Sequence, residues 1–464
     1  MQGDFSRITF DQAARGFSAV LSQQGRVQLD SEINEQTAIL LHYLRTLAAD
    51  VLGPAAYPAG PDGKADGGFK VDFSGGVLKV SGGRMYVDGI LCESAGTTEY
   101  WTQPDGHLDQ QSDPALPAGA FLVYLRVWER LVTADEDPAI REVALGLHGP
   151  DTTVRTKVVW QICWLPLVAE RGIPDRGTAV RFLSGLIAQA FKPGPLLTAR
   201  AQQARGDSEP SDLSPDSGYR GLENQLYRVE VHRGGPAGTA TFKWSRENGS
   251  VTLPVRSVAG ATVELDTLGR DARLGLEVGD LVELVDDSCV YRGPDDTADR
   301  PSPRLHAVAE VDRTARRVVL DADPSTDPNR RAIGSDPGRH PALRRWDHRR
   351  PAPASDGGGT GTGTGGALLV QEDDWLPLED GVEVRFTGSD DPAKPRKYRA
   401  GDHWLIPARV VTGDVEWPAD ADGRPQAREP HGISYHHAPL AVVEGVGDPV
   451  RQVVDLRIPF PRPN

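Results

Sequence analysis

The densest group of side chains able to do chemistry is PHGISYHHAPL at 430–440, which places His431, His436 and His437 close together. Imidazole is a common metal ligand and titrates near neutral pH. Neighbouring residues on a strand point to opposite faces, so His436 and His437 make a poor bidentate pair within one chain. The block therefore reads as hydrogen-bonded structural histidines, or as a metal site only where copies meet at a symmetry axis. Paired acids recur at Asp286-Asp287, Asp295-Asp296, Asp373-Asp374 and Asp390-Asp391. A glycosidase needs two carboxylates at a set separation in space. These pairs lie instead in turn-like stretches, where Asp bonds to nearby backbone. The DADG run at 420–423 resembles part of a calcium loop without its remaining ligands or terminal Glu. No GxSxG, HExxH, CxxC or GKS/T pattern is found, so the sequence predicts no catalytic residue, no cofactor and no metal site. The basic run 339–350, with Arg344, Arg345, His348, Arg349 and Arg350 around Trp346, reads either as a solvated loop or as a contact for an acidic neighbour.

The elements that would carry such residues are mostly strands. The exception is a helix expected over 31–52, after the motif QQGRVQLD at 23–30. Asp30 or Ser31 is placed to cap it, Glu32 and Glu35 suit its first turn, and Gly53-Pro54 ends it. Ile33, Leu40, Leu44, Leu47 and Val51 form a heptad stripe interrupted by Thr37. Such a stripe must be covered, by the rest of this chain or by another subunit. Residues 55–68 read as a linker or long turn. Asp88-Gly89 within RMYVDGILCE (84–93) predicts a type I′ hairpin, and Asn248-Gly249 predicts a second. Phe121, Val123, Leu125 and Val127 share one face of a strand that opposes Tyr124, Arg126 and Trp128. The stretch 154–164 alternates as its partner. A short helix is expected within 178–191. Short strands at 262–265, 281–285, 307–311 and 317–320 suit a small barrel or sandwich.

The expected architecture is mainly β, with multi-domain β-sandwich or small-barrel modules and an N-terminal amphipathic helix. The expected divisions are a docking segment at 1–54, β domains at 69–206 and 218–323, a flexible linker at 324–366 that includes a Gly/Thr tract, and a C-terminal β region at 367–464.

The 464 residues carry 51 Lys and Arg against 66 Asp and Glu, a formal charge of −15, which argues against nucleic acid or an anionic membrane as the main partner. Three cysteines without a CxxC indicate neither a disulfide framework nor a cysteine zinc site. The N-terminal residues lack a basic and an apolar signal region, and no long apolar run occurs, so cytoplasmic synthesis without membrane insertion is expected.

The opening GDFSR (3–7), QQGRVQLD (23–30), NEQ (34–36), RMYVDGILCE (84–93), ENQLYRVE (223–230), FKWSRENGS (242–250), YRAGDHWLIPAR (398–409) and the histidine pair near 436 resemble a family encoded in gene clusters for phage-tail-like contractile injection systems. SYHHAPL departs from that pattern after the second histidine, and 353–366 reads as a private insertion. The resemblance implies a multi-copy structural subunit at or around the baseplate, in a fibre or cage-like attachment. It implies assembly in the cytoplasm with baseplate, sheath or fibre proteins into a particle that can leave the cell, and no catalytic residues. On this reading Arg26, Ile33, Leu40, Leu44, Leu47, Val51, Arg344, Arg345 and Trp346 form the partner interface. The alternative is a carbohydrate-binding or carbohydrate-active β protein at the tail tip, with Trp101, Trp375 or Trp417 stacking on sugars. A tail-tip effector ranks last for want of a nucleophile or metal signature.

Overall fold

The computed structural model describes residues 3, 16–59, 67–111, 113–146, 152–167, 177–178, 180–183, 185, 194–202, 217–269, 271, 273–290, 303–327, 333–334, 336–349, 366–389, 396–444 and 453–460. The fold is mainly β, and the chain divides into two compact units. One comprises Phe5–Ala190 with Ile433–Asn464, the other Phe191–Gly432 with Gln2–Asp4. The C-terminal region expected at 367–464 is thus split between them, its last part returning to the first unit.

The first unit is built on the long antiparallel pair Phe121–Val132 and Arg155–Pro166, in register from Phe121 opposite Pro166 to Val132 opposite Arg155. The two-residue alternation works as the sequence predicts. Phe121, Val123, Leu125 and Val127 are fully buried in one core with Trp160 and Ile162, while Leu122 and Tyr124 join a smaller cluster on the opposite face. His436–Val443 pairs with the other edge of Phe121–Val132, and Val453–Asp455 follows it. A second sheet orders Pro459–Phe460, Ala55–Pro58, Gly83–Val87 and Ile90–Ser94. Its Asp-Gly turn has positive φ at both central residues, Asp88 at 47° and Gly89 at 76°, as a type I′ hairpin requires. Within 178–191, residues 178, 180–183 and 185 are helical, and the rest lies outside the described residues.

The second unit contains a five-stranded sheet, a three-stranded sheet and a closed barrel of six strands. Around the barrel run Thr252–Ala259, Thr262–Leu265, Arg317–Leu320, His306–Asp312, Leu281–Val285 and Ala342–Trp346. Its lining is aliphatic, including Val263, Leu265, Val282, Val308, Val318 and Leu343. The barrel is larger than the sequence indicates, because Ala342–Trp346 falls inside the stretch expected to be linker. Asn248 and Gly249 do adopt positive φ, at 52° and 63°. They do not close a hairpin, however. Thr241–Ser245 belongs to the five-stranded sheet and Thr252–Ala259 to the barrel, so the turn hands the chain from one to the other. The reason is local: the Ser245 hydroxyl accepts from the amides of Glu247 and Gly249, and the Asn248 side chain is drawn inward to Arg228 and to the Gly3 carbonyl.

Candidate docking surface

The N-terminal helix, α1, spans Asp30–Leu52. Asp30 is its first residue, so neither Asp30 nor Ser31 caps it. Leu29 occupies that position, and its amide is satisfied by Glu32 Oε2 at 3.1 Å. Gly53, at φ 84°, ends the helix with its amide on the Ala49 carbonyl. The extended segment before the helix is tied back to it by the Val20 amide, 2.7 Å from Gln36 Oε1.

Three contacts seat α1 on its own unit. Ile39 is fully buried. Arg45 makes a two-pronged ion pair with Glu129 of the long strand, at 2.7 and 2.8 Å. The Asp-Gly hairpin tip presses against the helix backbone so closely that a Cβ on Gly89 would lie 2.2 Å from the Arg45 carbonyl oxygen. The same tip is held by the Asp88 amide on the Pro54 carbonyl and by Asp88 Oδ2 on His436 Nδ1, 2.8 Å away. The Asp88-Gly89 tip of the RMYVDGILCE motif is therefore part of the seat of the helix.

The predicted stripe faces the other way. Ile33 is 52% exposed, Leu40 53%, Leu44 63%, Leu47 63% and Val51 60%. Thr37, which interrupts the stripe, returns its hydroxyl to the Ile33 carbonyl at 3.1 Å and so spends its polarity locally. Leu41 and Tyr43 widen the apolar surface, at 40% and 48% exposure, and the sequence reading missed both. Their positions flanking the heptad seam were the signal. Val27 and Leu29 of the QQGRVQLD segment are exposed as well, as is Arg26 beside the Gln24-Gly25 turn.

The arginine run behaves differently from either expectation. Arg344, Arg345 and Trp346 lie on the barrel strand Ala342–Trp346, not on a loop. Arg345 and Trp346 are buried, which removes them from any surface contact, and Arg344 is half-buried. Arg345 Nη1 donates to the Gly275 carbonyl at 2.7 Å, and its Nε lies 3.2 Å from Asp347. Trp346 Nε1 donates to Glu283 Oε2 at 3.0 Å.

That tryptophan borders a buried ionic network in the second unit. In the five-stranded sheet, Arg228 and Glu230 on Gln225–Arg233 lie beside Lys243 on Thr241–Ser245, with Glu230 paired in register to Lys243. Arg228 lies 2.6 Å from Glu230, and Lys243 Nζ lies 3.4 Å from Glu230 and 2.7 Å from Glu283 of the barrel. The ammonium also sits 4.2 Å from the Trp346 ring centroid, a cation–π contact. Burial alone would push the Glu230 and Glu283 carboxyls up; the adjacent Arg228 and Lys243 hold Glu230 well below the usual range, and Lys243, by charge and hydrogen bond, lowers Glu283. His232 and His348, both buried, are pushed down to about 4 by desolvation and are neutral at physiological pH. At one edge, Arg246 makes a two-pronged pair with Glu379 at 2.8 and 2.9 Å, and Arg273 joins Glu223 to Glu247. The ENQLYRVE and FKWSRENGS motifs thus supply a closed set of charges that fastens sheet to barrel.

The remaining candidates are absorbed by the fold. His436 meets Asp88, whereas His437 packs on Tyr124 and Tyr435 and is pushed down to about 4 by burial and Arg126. His431 donates its amide to the His403 carbonyl at 2.6 Å. Among the described residues no three His, Cys, Asp or Glu side chains converge as a metal site would require. Asp286 Oδ1 accepts from the Ser288 amide and Asp420 Oδ1 from the amides of Asp422 and Arg424, which is turn chemistry, while Asp287 makes a long-range contact with His340. Asp295-Asp296 and Asp390-Asp391 lie outside the described residues. Trp375 carries the Arg200 guanidinium 3.8 Å from its ring centroid, Trp101 packs on the first unit's core, and Trp417 Nε1 donates to the Gln426 carbonyl. Each of the three is half-buried and engaged within its own unit.

With the geometry established, comparison with known sequences fixes the family. The chain belongs to DUF6519, a family of unknown function, which matches residues 1–175 and 168–450. No curated protein and no solved structure matches it. No helix among the described residues is long and apolar enough to cross a membrane.

Proposed function

We propose that this chain is a structural subunit of a phage-tail-like contractile injection system, seated at or around the baseplate in a fibre or cage-like attachment. The observation that carries the reading is the outward stripe of α1. Fully burying one aliphatic side chain contributes about 1.5–3 kcal/mol, and this helix leaves that gain unrealised along its whole length. A large exposed apolar patch on a folded protein marks a surface that another molecule covers. The resemblance carried by GDFSR, QQGRVQLD, ENQLYRVE and FKWSRENGS supplies the particle, and assembly there occurs in the cytoplasm before any release. Baseplate, sheath or fibre proteins are the partners in this reading, and no bond-making chemistry is assigned to the chain.

The test is incorporation. Particles purified from cells carrying Leu40→Ser, Leu44→Ser and Leu47→Ser together should lack the subunit, while the free protein remains folded. Point changes are preferable to removing the N-terminus, because the Gly3 carbonyl accepts from Asn248 beside the buried network. Normal amounts of the triple variant in particles, or absence of the wild-type chain from particles altogether, would refute the proposal.

A further inference from the structure

We infer that the stripe of α1 is covered by the same stripe of a second copy of this chain. The inference rests on reading the stripe as an interface and not on which particle contains it.

The residues of the stripe take alternating steps of four and three, which assigns Thr37, Leu44 and Val51 to heptad position a and Ile33, Leu40 and Leu47 to position d. All six are exposed. The contacts that seat the helix come from the opposite side: Ile39 at position c and Arg45 at position b. The helix therefore spends its b and c side on its own unit and holds a complete coiled-coil seam outward, the surface that fits another heptad helix.

Two features select a copy of itself. The positions flanking the seam, where like charges would repel an identical helix, are Asn34, Leu41 and Ala48 on one side and Gln36, Tyr43 and Asp50 on the other. Only Asp50 is charged, at the very end. A basic partner would find no complementary acids along this seam, since Glu32 and Glu35 lie off it at positions c and f. The second feature is size. The exposed area of Ile33, Leu40, Leu41, Tyr43, Leu44, Leu47 and Val51 comes to roughly 700 Å², close to the roughly 800 Å² that one partner of a standard interface buries.

The experiment is light scattering on the full-length protein across a dilution series, beside the Leu40→Ser, Leu44→Ser, Leu47→Ser variant and a control, Val411→Ser, which changes a residue 96% exposed in the other unit. The wild type and the control should have the mass of two or more chains, and the triple variant the mass of one with the circular dichroism spectrum of the folded wild type. A monomeric wild type at every concentration overturns the inference, as does an oligomer that survives the triple change. Failure here leaves the particle proposal standing if the wild-type chain still co-purifies with particles, because a different protein then covers the stripe.

Discussion

Helix α1 and the motif-bearing sheet both reverse the usual arrangement of polar and apolar groups, with opposite consequences. On α1, leucines face solvent while an arginine reaches in to Glu129. In the second unit, Arg228, Glu230, Lys243 and Glu283 are all buried. The sheet completes its reversal internally, since each of these charges meets an opposite one within the unit. The helix leaves its reversal open, and among the described residues of its own unit none covers the stripe. Buried charge here is a fastening, and exposed leucine is what the proposed partner would cover.

Breaking the fastening should have the largest effect. Lys243→Ala removes the cation shared by Glu230 and Glu283 and leaves buried carboxylates undercompensated, so chemical denaturation should show a loss of about 3–5 kcal/mol. A loss within about 0.5 kcal/mol would mean that water reaches the network and that the comparison with α1 is mistaken.

Much of the first unit is legible in the sequence, because the long strand pair follows a strict two-residue period and Asp88-Gly89 can do little but turn. The stripe on α1 is equally legible, but its direction is not. Periodicity states that burial is wanted and is silent on which surface provides it. The second unit hides its core for a different reason. Arg228, Glu230, Lys243 and Arg345 read as solvent-facing in a linear scan, and only folding brings them their acceptors. The barrel strand Ala342–Trp346 was lost among arginines on that account. The return of residues 433–464 to the first unit leaves no local trace, since a strand pairs as well with a distant neighbour as with a near one.

A second, smaller test concerns a carboxyl outside the closed network. Burial pushes Asp402 up to about 6 from its ordinary 3.8. A carboxyl raised in the folded state binds its proton more tightly there than in the unfolded chain. Its contribution is fully present below pH 4 and is lost as pH rises through about 6. Asp402→Asn should therefore stabilise the protein by up to about 2 kcal/mol at pH 7.5, a gain that fades by pH 4 in melting curves taken across that range. A pH-independent difference would assign the effect to packing instead.

Loosening the seat of the helix should cost less. Arg45→Ala removes a half-buried two-pronged ion pair worth about 1 kcal/mol, visible as faster proteolysis between residues 30 and 52 with little change in the global melt. Slower or unchanged cleavage would show that Ile39 and the hairpin tip hold α1 alone. Smallest of all, the three serine substitutions on the stripe should change the stability of the isolated chain by no more than about 0.5 kcal/mol. A larger loss would show that the stripe is already covered within the chain.

The strand His436–Val443 lies between Phe121–Val132 and Val453–Asp455, and it is synthesised only after the whole of Phe191–Gly432. During translation at about 5–20 residues per second, the ribosome holds a first unit with one flank of its longest strand unmatched for on the order of ten seconds or more. An open strand border of this kind is adhesive. Messages truncated upstream of residue 436 should accordingly yield insoluble product even though the second unit is nearly complete, and production of the intact chain should depend on chaperones that shield that border until the last strands emerge.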